Sequence, residues 1–436
     1  MSTLSSDRRT LIHFLSRLGQ AELAAGNAVA LVERDLGMIA RVNGVEGFTA
    51  SVLPTVLFLQ LDDDRGNDVR MALGPYRTGD LRFDQIEGVL RIAREARAGE
   101  IGPAEGLRRL DAMWSMRHRY RDIGFVFGYC LTVVGVALML RSTPVGLAVS
   151  ASLGLLAGLL LMGVRRQPAW SAVMPVVMSF LLASIVAITH RYGLRVPAID
   201  LLIPPLVVFL PGSTLTIAVV ELAFANMVSG ASRLVAGFAQ LILLAFGLLG
   251  GFQIFGGLTA IAPPTEADRL PIWIPWIGVL LFAAGLHVFK SSRPRSLFAM
   301  TLTMVMAYAG QAFAGQFLQG SASAFFGAVL MTFTALTIEY RFKGPPAIVT
   351  FLPAFWLLAP GSFGLASVTG IAMDDQGTAE NLLRFCFILA AIAMGCLIGA
   401  FVYSGMFHMR RSRWWSRQAP VRETGGRVDQ GFPEGP

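Results

Sequence analysis

The sequence predicts a mainly α membrane protein: ten transmembrane helices in two inverted five-helix repeats, each with a helix broken at Pro-Gly, preceded by a small cytosolic α+β domain. Three observations predict it. Of 436 residues, 54% are apolar and only 15% are charged, and the charges gather at the two ends and in short loops. From residue 122 onward, apolar runs of roughly 17–25 residues recur, long enough to cross a hydrocarbon core of about 30 Å as helices. Finally, Pro197-Ala198-Ile199, Pro204 and Pro211-Gly212-Ser213 return at an ungapped offset of 149 as Pro346-Ala347-Ile348, Pro353 and Pro360-Gly361-Ser362. Both copies lie in long apolar segments, so the same interruption falls at the same place in two halves of the chain.

Residues 1–121 form the α+β domain. Their early apolar positions are interleaved with Arg8, Arg9, Arg17, Glu22 and Glu33 instead of forming the continuous run of a signal peptide, so they are expected to stay in the cytosol. Two helical stripes, Leu11-Phe14-Leu15-Leu18 and Val29-Val32-Leu36-Ile39, flank Gly26-Asn27 and predict an antiparallel helix pair. Gly47–Ser51, Thr55–Leu61 and Val69–Leu73 read as strands of a small sheet. Two amphipathic helices follow, one with Phe83, Ile86, Leu90 and Ala93, the other opening at Gly102-Pro103 and carrying Leu107, Leu110 and Trp114. The acidic turn Asp62–Asp68 lacks oxygen ligands at the fifth and twelfth positions of an EF-hand, Gly66 and Leu73, and reads as a solvated hairpin turn.

Spans are expected near 122–140, 145–164, 169–190, 198–222 and 231–256, forming a first repeat over 122–256. A second repeat over 257–407 holds spans near 272–290, 297–315, 320–338, 347–372 and 381–407. An odd number of crossings per repeat inverts the second half relative to the first. With both termini cytosolic, the inner loops hold Arg165, Arg166, Lys290, Arg293, Arg295, Arg341 and Lys343, and the basic, disordered tail 408–436 is also inside, as the positive-inside rule requires. His190, Arg191 and Arg195 break the pattern by falling outside, which suggests a helix-end or pocket role. Gly247/Gly251 match Gly395/Gly399 at an offset of 148, and Gly154/Gly158 form a third small-xxx-small pair, marking close helix packing.

The chemistry is expected at the breaks. A proline cannot donate to the helix ladder, and the glycine after it relaxes the backbone. The N–H groups of Gly212, Ser213 and Thr214, and of Gly361 and Ser362, beyond Pro211 and Pro360, then form a positive helix N-terminus for a carboxylate, while the preceding carbonyls face a cation. An α-amino acid carries both charges. Glu221 and Asp200 bracket the first break as candidates for proton coupling. Arg233 and Arg384, expected in the first turn of the last helix of each half, call for anionic partners, Glu221 and Glu380 or a substrate carboxylate.

Several classes are excluded or disfavoured. Neither a Walker loop nor a G-x-G-x-x-G fingerprint occurs, and the histidines at 13, 118, 190, 287 and 408 have no short ligand spacing, so no cofactor or metal is expected. The net charge of +8 fits topology and anionic headgroups in place of nucleic acid. Cys130, Cys386 and Cys396 all fall in spans, and no disulfide is expected. A membrane-anchored enzyme or sensor working through residues 1–121 is the competing class, but no catalytic constellation is visible there.

The chain resembles the threonine/serine exporter family. The likeness runs from residue 8 to 407 and includes LSRLGQAELAAGNAVALVERDLGMIARVNG, LRIAREARAGEIGPAEGLRRLDAM and, most specifically, LPGSTLTIAVVELAFANMVSGASRLVAGFAQL with Pro211, Gly212, Ser213, Glu221, Ser229, Gly230 and Arg233. The resemblance implies a ten-helix, multi-pass exporter of L-threonine and L-serine in the inner (plasma) membrane, driven by the proton gradient. It also admits dicarboxylates such as succinate as cargo. Partners are then a small amino acid or carboxylate and the lipid bilayer, with homo-oligomerisation left open.

Overall fold

The computed structural model describes residues 2–61, 68–73, 81–165, 167, 170, 173–255, 265–318, 321–358, 365 and 378–407. The N-terminal unit runs α1 (Ser2–Ala24), α2 (Val29–Val42), β1 (Phe48–Leu53), β2 (Val56–Leu61), β3 (Asp68–Leu73), α3 (Phe83–Ala98) and α4 (Pro103–Trp114). All eight stripe residues of α1 and α2 are buried, and an antiparallel sheet of order β1-β2-β3 adds Leu57, Leu59 and Leu61 to the same core. Leu53 pairs with Val56 across the tight turn at Pro54-Thr55. The acidic segment at 62–67 lies outside the described residues.

The link between α1 and α2 is a Schellman turn. Gly26 adopts φ +86, the Gly26 N–H donates to the Leu23 carbonyl and the Asn27 N–H to the Glu22 carbonyl. Only a residue without a Cβ takes this left-handed conformation at no steric cost, which explains a glycine here.

The remaining elements are α5 (Arg121–Met139), α6 (Pro144–Val164), α7 (Met174–Arg191), α8 (Ala198–Leu206) with a 3₁₀ turn at Val207–Phe209, α9 (Gly212–Ala223) and α10 (Met227–Phe255). They continue as α11 (Ile274–Phe289), α12 (Pro294–Ala314), α13 (Ser321–Leu336, extended by a π turn to Arg341), α14 (Ala347–Leu357) and α15 (Thr378–Met406). Among the described residues, seven helices are long and apolar enough to cross a membrane, and the bent pair α8–α9 makes an eighth. The chain is therefore a multi-pass, mainly helical membrane protein. α11 and α14, of 16 and 11 residues, are apolar but shorter than the roughly 20 residues of a full crossing. The segment joining α14 to α15 lies largely outside the described residues.

Glycines decide how these helices meet. A Cβ on Gly285 of α11 would lie 2.4 Å from the Thr132 amide nitrogen of α5, and one on Gly135 of α5 2.5 Å from that of Phe282. Gly128 abuts Phe289 and Gly278 abuts Met139, so the contacts run in opposite directions and α5 and α11 are antiparallel. Helices α10 and α15 repeat one packing scheme. Gly247 and Gly251 press on the Val176 and Phe180 carbonyls of α7, while Gly395 and Gly399 press on those of Phe325 and Val329 of α13, positions one repeat offset of 149 apart. The Leu140–Pro144 corner likewise recurs as Lys290–Pro294, with Arg141 at φ 52 and Ser291 at φ 54.

The N-terminal unit touches one end of this bundle. The Phe83 N–H donates to the Lys290 carbonyl at 2.9 Å, Glu87 pairs with Arg293 at 3.3 Å and accepts from Ser296, and a Cβ on Gly26 would lie 3.9 Å from Ile348. At the opposite end Arg141 pairs with Glu266 at 2.9 Å and donates to the Leu270 carbonyl.

Candidate functional site

Pro204, Pro205 and Pro211 cannot donate to the ladder, and the chain bends by 60° between Asp200–Phe209 and Gly212–Ala223. Carbonyls that lose helical partners at such a bend need others. The Tyr129 hydroxyl of α5, fully buried, donates to the Pro205 carbonyl at 2.6 Å, and the Gln240 amide of α10 donates to the Phe209 carbonyl at 2.6 Å. Helix α9 then opens at Gly212, capped by Pro211, with the Leu215 N–H reaching the Pro211 carbonyl. Pro211 and Gly212 are buried, and Ser213 and Thr214 half-buried.

A cavity of about 1700 Å³ runs from the N-terminal unit to this break. Val208, Phe209 and Gln240 line it beside the break, together with Arg82, Arg117, Arg121, Arg165 and Lys290, and Asp122 is the acidic lining residue. Asp122 pairs with Arg165. Pro211–Thr214 do not line the cavity and come directly behind Phe209.

Glu221, at the far end of α9, is 1% exposed and held by three groups. Ser229 Oγ donates to its Oε2 at 2.6 Å, Arg233 Nε lies 3.2 Å from the same oxygen, and the Val29 N–H of α2 donates to Oε1 at 3.2 Å. Arg233 also donates to the Asn27 carbonyl at 3.3 Å. Helix α10 begins at Met227, earlier than expected, because Ala225 turns the chain at φ +62, so Arg233 sits in the second turn instead of the first. Arg384 likewise lies beyond the first turn of α15; it is exposed, and among the described residues no ion pair joins it to Glu380.

Asp200 is half-buried at the other end of the broken helix with Arg269 as its charged neighbour, so the structure does not bring Asp200 and Glu221 together. Pro360, Gly361 and Ser362 lie outside the described residues. His190 bonds the Val196 carbonyl at 2.9 Å and closes the α7–α8 corner; Glu339, one repeat offset later, accepts from the Ala347 N–H at 2.8 Å and closes the α13–α14 corner. Of the three residues that broke the charge pattern, His190 is a helix-end contact, while Arg191 and Arg195 are exposed. Sequence reasoning missed Tyr129, Gln240 and Asn27. Their signal was weak: a lone tyrosine and glutamine in apolar runs, each of which needs a partner when buried.

Residues 13–255 match the model of the family described as "Putative threonine/serine exporter". The match covers more than half of the chain, from α1 through the broken helix to the end of α10, and the chain belongs to that family. The family is described as one of transporters, which agrees with the multi-pass helical architecture. No curated protein and no solved structure matches the chain.

Proposed function

We propose that the chain is a secondary active exporter of L-threonine and L-serine, proton-coupled, with ten spans in two inverted halves, both termini cytosolic and the N-terminal unit at the inner face of the plasma membrane. The observation that carries this is a cation-walled cavity ending at a membrane helix broken at Pro-Gly, in a chain of the exporter family. The inverted arrangement is supported by the antiparallel α5–α11 crossing and by the matched packing of α10 on α7 and α15 on α13. Substrate reaches the break through the cavity; its carboxylate meets the N–H groups of Gly212, Ser213 and Thr214, its ammonium the carbonyls before Pro211, and Pro360, Gly361 and Ser362 form the counterpart in the second half. Glu221, paired with Arg233, carries the coupled proton.

A second reading is favoured by the cavity wall. Even with Asp84 paired to Arg82 and Asp122 to Arg165, the wall stays net positive, which attracts a dianion more than a zwitterion and suits a dicarboxylate such as succinate. Counterflow in proteoliposomes with labelled threonine, serine and succinate separates the two. Threonine and serine exchange supports the first, succinate exchange alone supports the second, and exchange of none of them overturns both. Gly212→Val should abolish the exchange seen while leaving the protein in the membrane.

A further inference from the structure

A path for a small amino acid does not need a cavity this large. Its volume of about 1700 Å³ exceeds the roughly 300–1,000 Å³ of a small-molecule site, and its lining is of two kinds. The cations stand at helix ends: Arg121 opens α5, Arg165 follows α6 and Lys290 follows α11, on the face where the N-terminal unit docks. Lys290 is buried, with Nζ over the Phe289 and Trp356 rings at 5.4 and 5.8 Å. Arg165 is paired with Asp122, whereas Arg117 and Arg121, both exposed, have no ion pair among the described residues. The second kind is apolar and turned outward. Ala236, Ala239 and Leu243 of α10 line the cavity and are exposed, as is Ile123 of α5, at 85%. Their spacing of three and four puts the α10 residues on one helix face. Helix α10 has 29 residues and is about 43 Å long, against a hydrocarbon core of about 30 Å. Residues 236–243, about 14–24 Å from its start, therefore lie at the depth of the acyl chains.

We propose that this flank of the cavity is a binding site for an anionic phospholipid. Its phosphate is taken by Arg117, Arg121 and Lys290 at the level of the helix ends, and an acyl chain lies along α10 over Ala236, Ala239 and Leu243. Guanidinium groups match phosphate oxygens, and basic pockets between membrane helices are suited to acidic headgroups. Threonine, serine or succinate fits the cations but leaves the outward apolar face bare, whereas a phospholipid covers both. The site lies beside the path to the break and exists whether or not the chain exports.

The test follows thermal unfolding of the full chain in a neutral detergent with added lipid. Dioctanoyl phosphatidylglycerol should raise the unfolding temperature, and dioctanoyl phosphatidylcholine, with the same chains and no net charge, should do so far less. Inorganic phosphate and succinate should not reproduce the effect. Arg117→Gln with Arg121→Gln should raise the phosphatidylglycerol concentration needed for half the effect about thirtyfold, each cation near the headgroup contributing about fivefold. Ala239→Trp should weaken the same lipid by occupying the place of the chain. All three changes fall on exposed side chains, and unfolding of the lipid-free variants reports directly that they fold. Equal stabilisation by the two lipids overturns the site, because the effect would then need no cation. Equal stabilisation by phosphate or succinate overturns it in favour of a soluble anion. An unchanged concentration dependence in both variants overturns the residues named. Absence of all exchange of threonine, serine and succinate in proteoliposomes would sink the exporter reading and leave these shifts to judge the lipid site.

Discussion

Two acids, one in the membrane bundle and one in the N-terminal unit, show how burial assigns different roles to the same functional group. Glu221 has a cation, a hydroxyl and a backbone amide around it, so its charge is compensated where it is buried. Glu221→Gln keeps the shape and removes the charge. It should lose proton-driven accumulation while retaining exchange at equal substrate concentrations, which requires no net proton movement; uphill transport by this variant would reduce Glu221 to a structural partner of Arg233. Glu22 is different, with burial first and the neighbouring Asp35 carboxylate second pushing its carboxyl well above the usual range, against the pull of Asn27, Arg97 and Arg34. A carboxyl raised in the folded state binds its proton more tightly there than in the unfolded chain, so stability is greatest below the unfolded value and falls as pH rises through the folded one. Thermal unfolding of the full chain in detergent should show less loss of stability toward alkaline pH in Glu22→Gln than in the wild type, and parallel pH profiles would disprove this.

At the scale of elements, glycine sets the distances. A side chain on Gly285 meets the backbone of Thr132, which cannot rotate away, whereas a Cβ on Gly163 meets nothing within 4 Å. Gly285→Leu should therefore lower stability by about 1–3 kcal/mol or more through overpacking, seen as loss of monodisperse protein, while Gly163→Ala should be neutral. Equal behaviour of the two variants would contradict the crossing. The repeated Gly247/Gly251 and Gly395/Gly399 pairs were legible in the sequence because close approach demands a small residue on the helix that is approached. So were the α1–α2 pair and the three strands, through their apolar periodicity. Less visible was what the glycines press against, since the Val176 and Phe325 carbonyls are backbone atoms that no residue type announces. The position of the cavity was hidden for a similar reason. Its wall gathers Arg82, Arg117, Arg165 and Lys290 from four separate stretches, each of which reads alone as an ordinary loop charge. The contact of Asn27 and Val29 with Glu221 and Arg233 joins positions about 200 residues apart, and neither composition nor period carries such a pairing.

For the molecule as a whole, the loops at the two ends of the bundle differ in what they touch. Cysteines placed at Arg195 and Glu266 should react with an impermeant reagent added outside cells, and one placed at Arg293, beside Glu87 of the N-terminal unit, only after the membrane is opened. Labelling of the Arg293 position from outside would reverse the orientation proposed here.

The one-sided seat of the N-terminal unit also bears on energy. Two identical inverted halves alone would make the state open to one face the mirror image of the state open to the other, and the two would be equally populated. Among the described residues, the contacts of Asn27, Val29, Phe83 and Glu87 lie at one end, and in the inverted arrangement proposed here they break that degeneracy. They leave the direction of net flux to the gradients, but they change how often each face is presented to solution. Apparent half-saturation must therefore differ between the two sides of the membrane, by the factor that the docked unit contributes to the resting equilibrium.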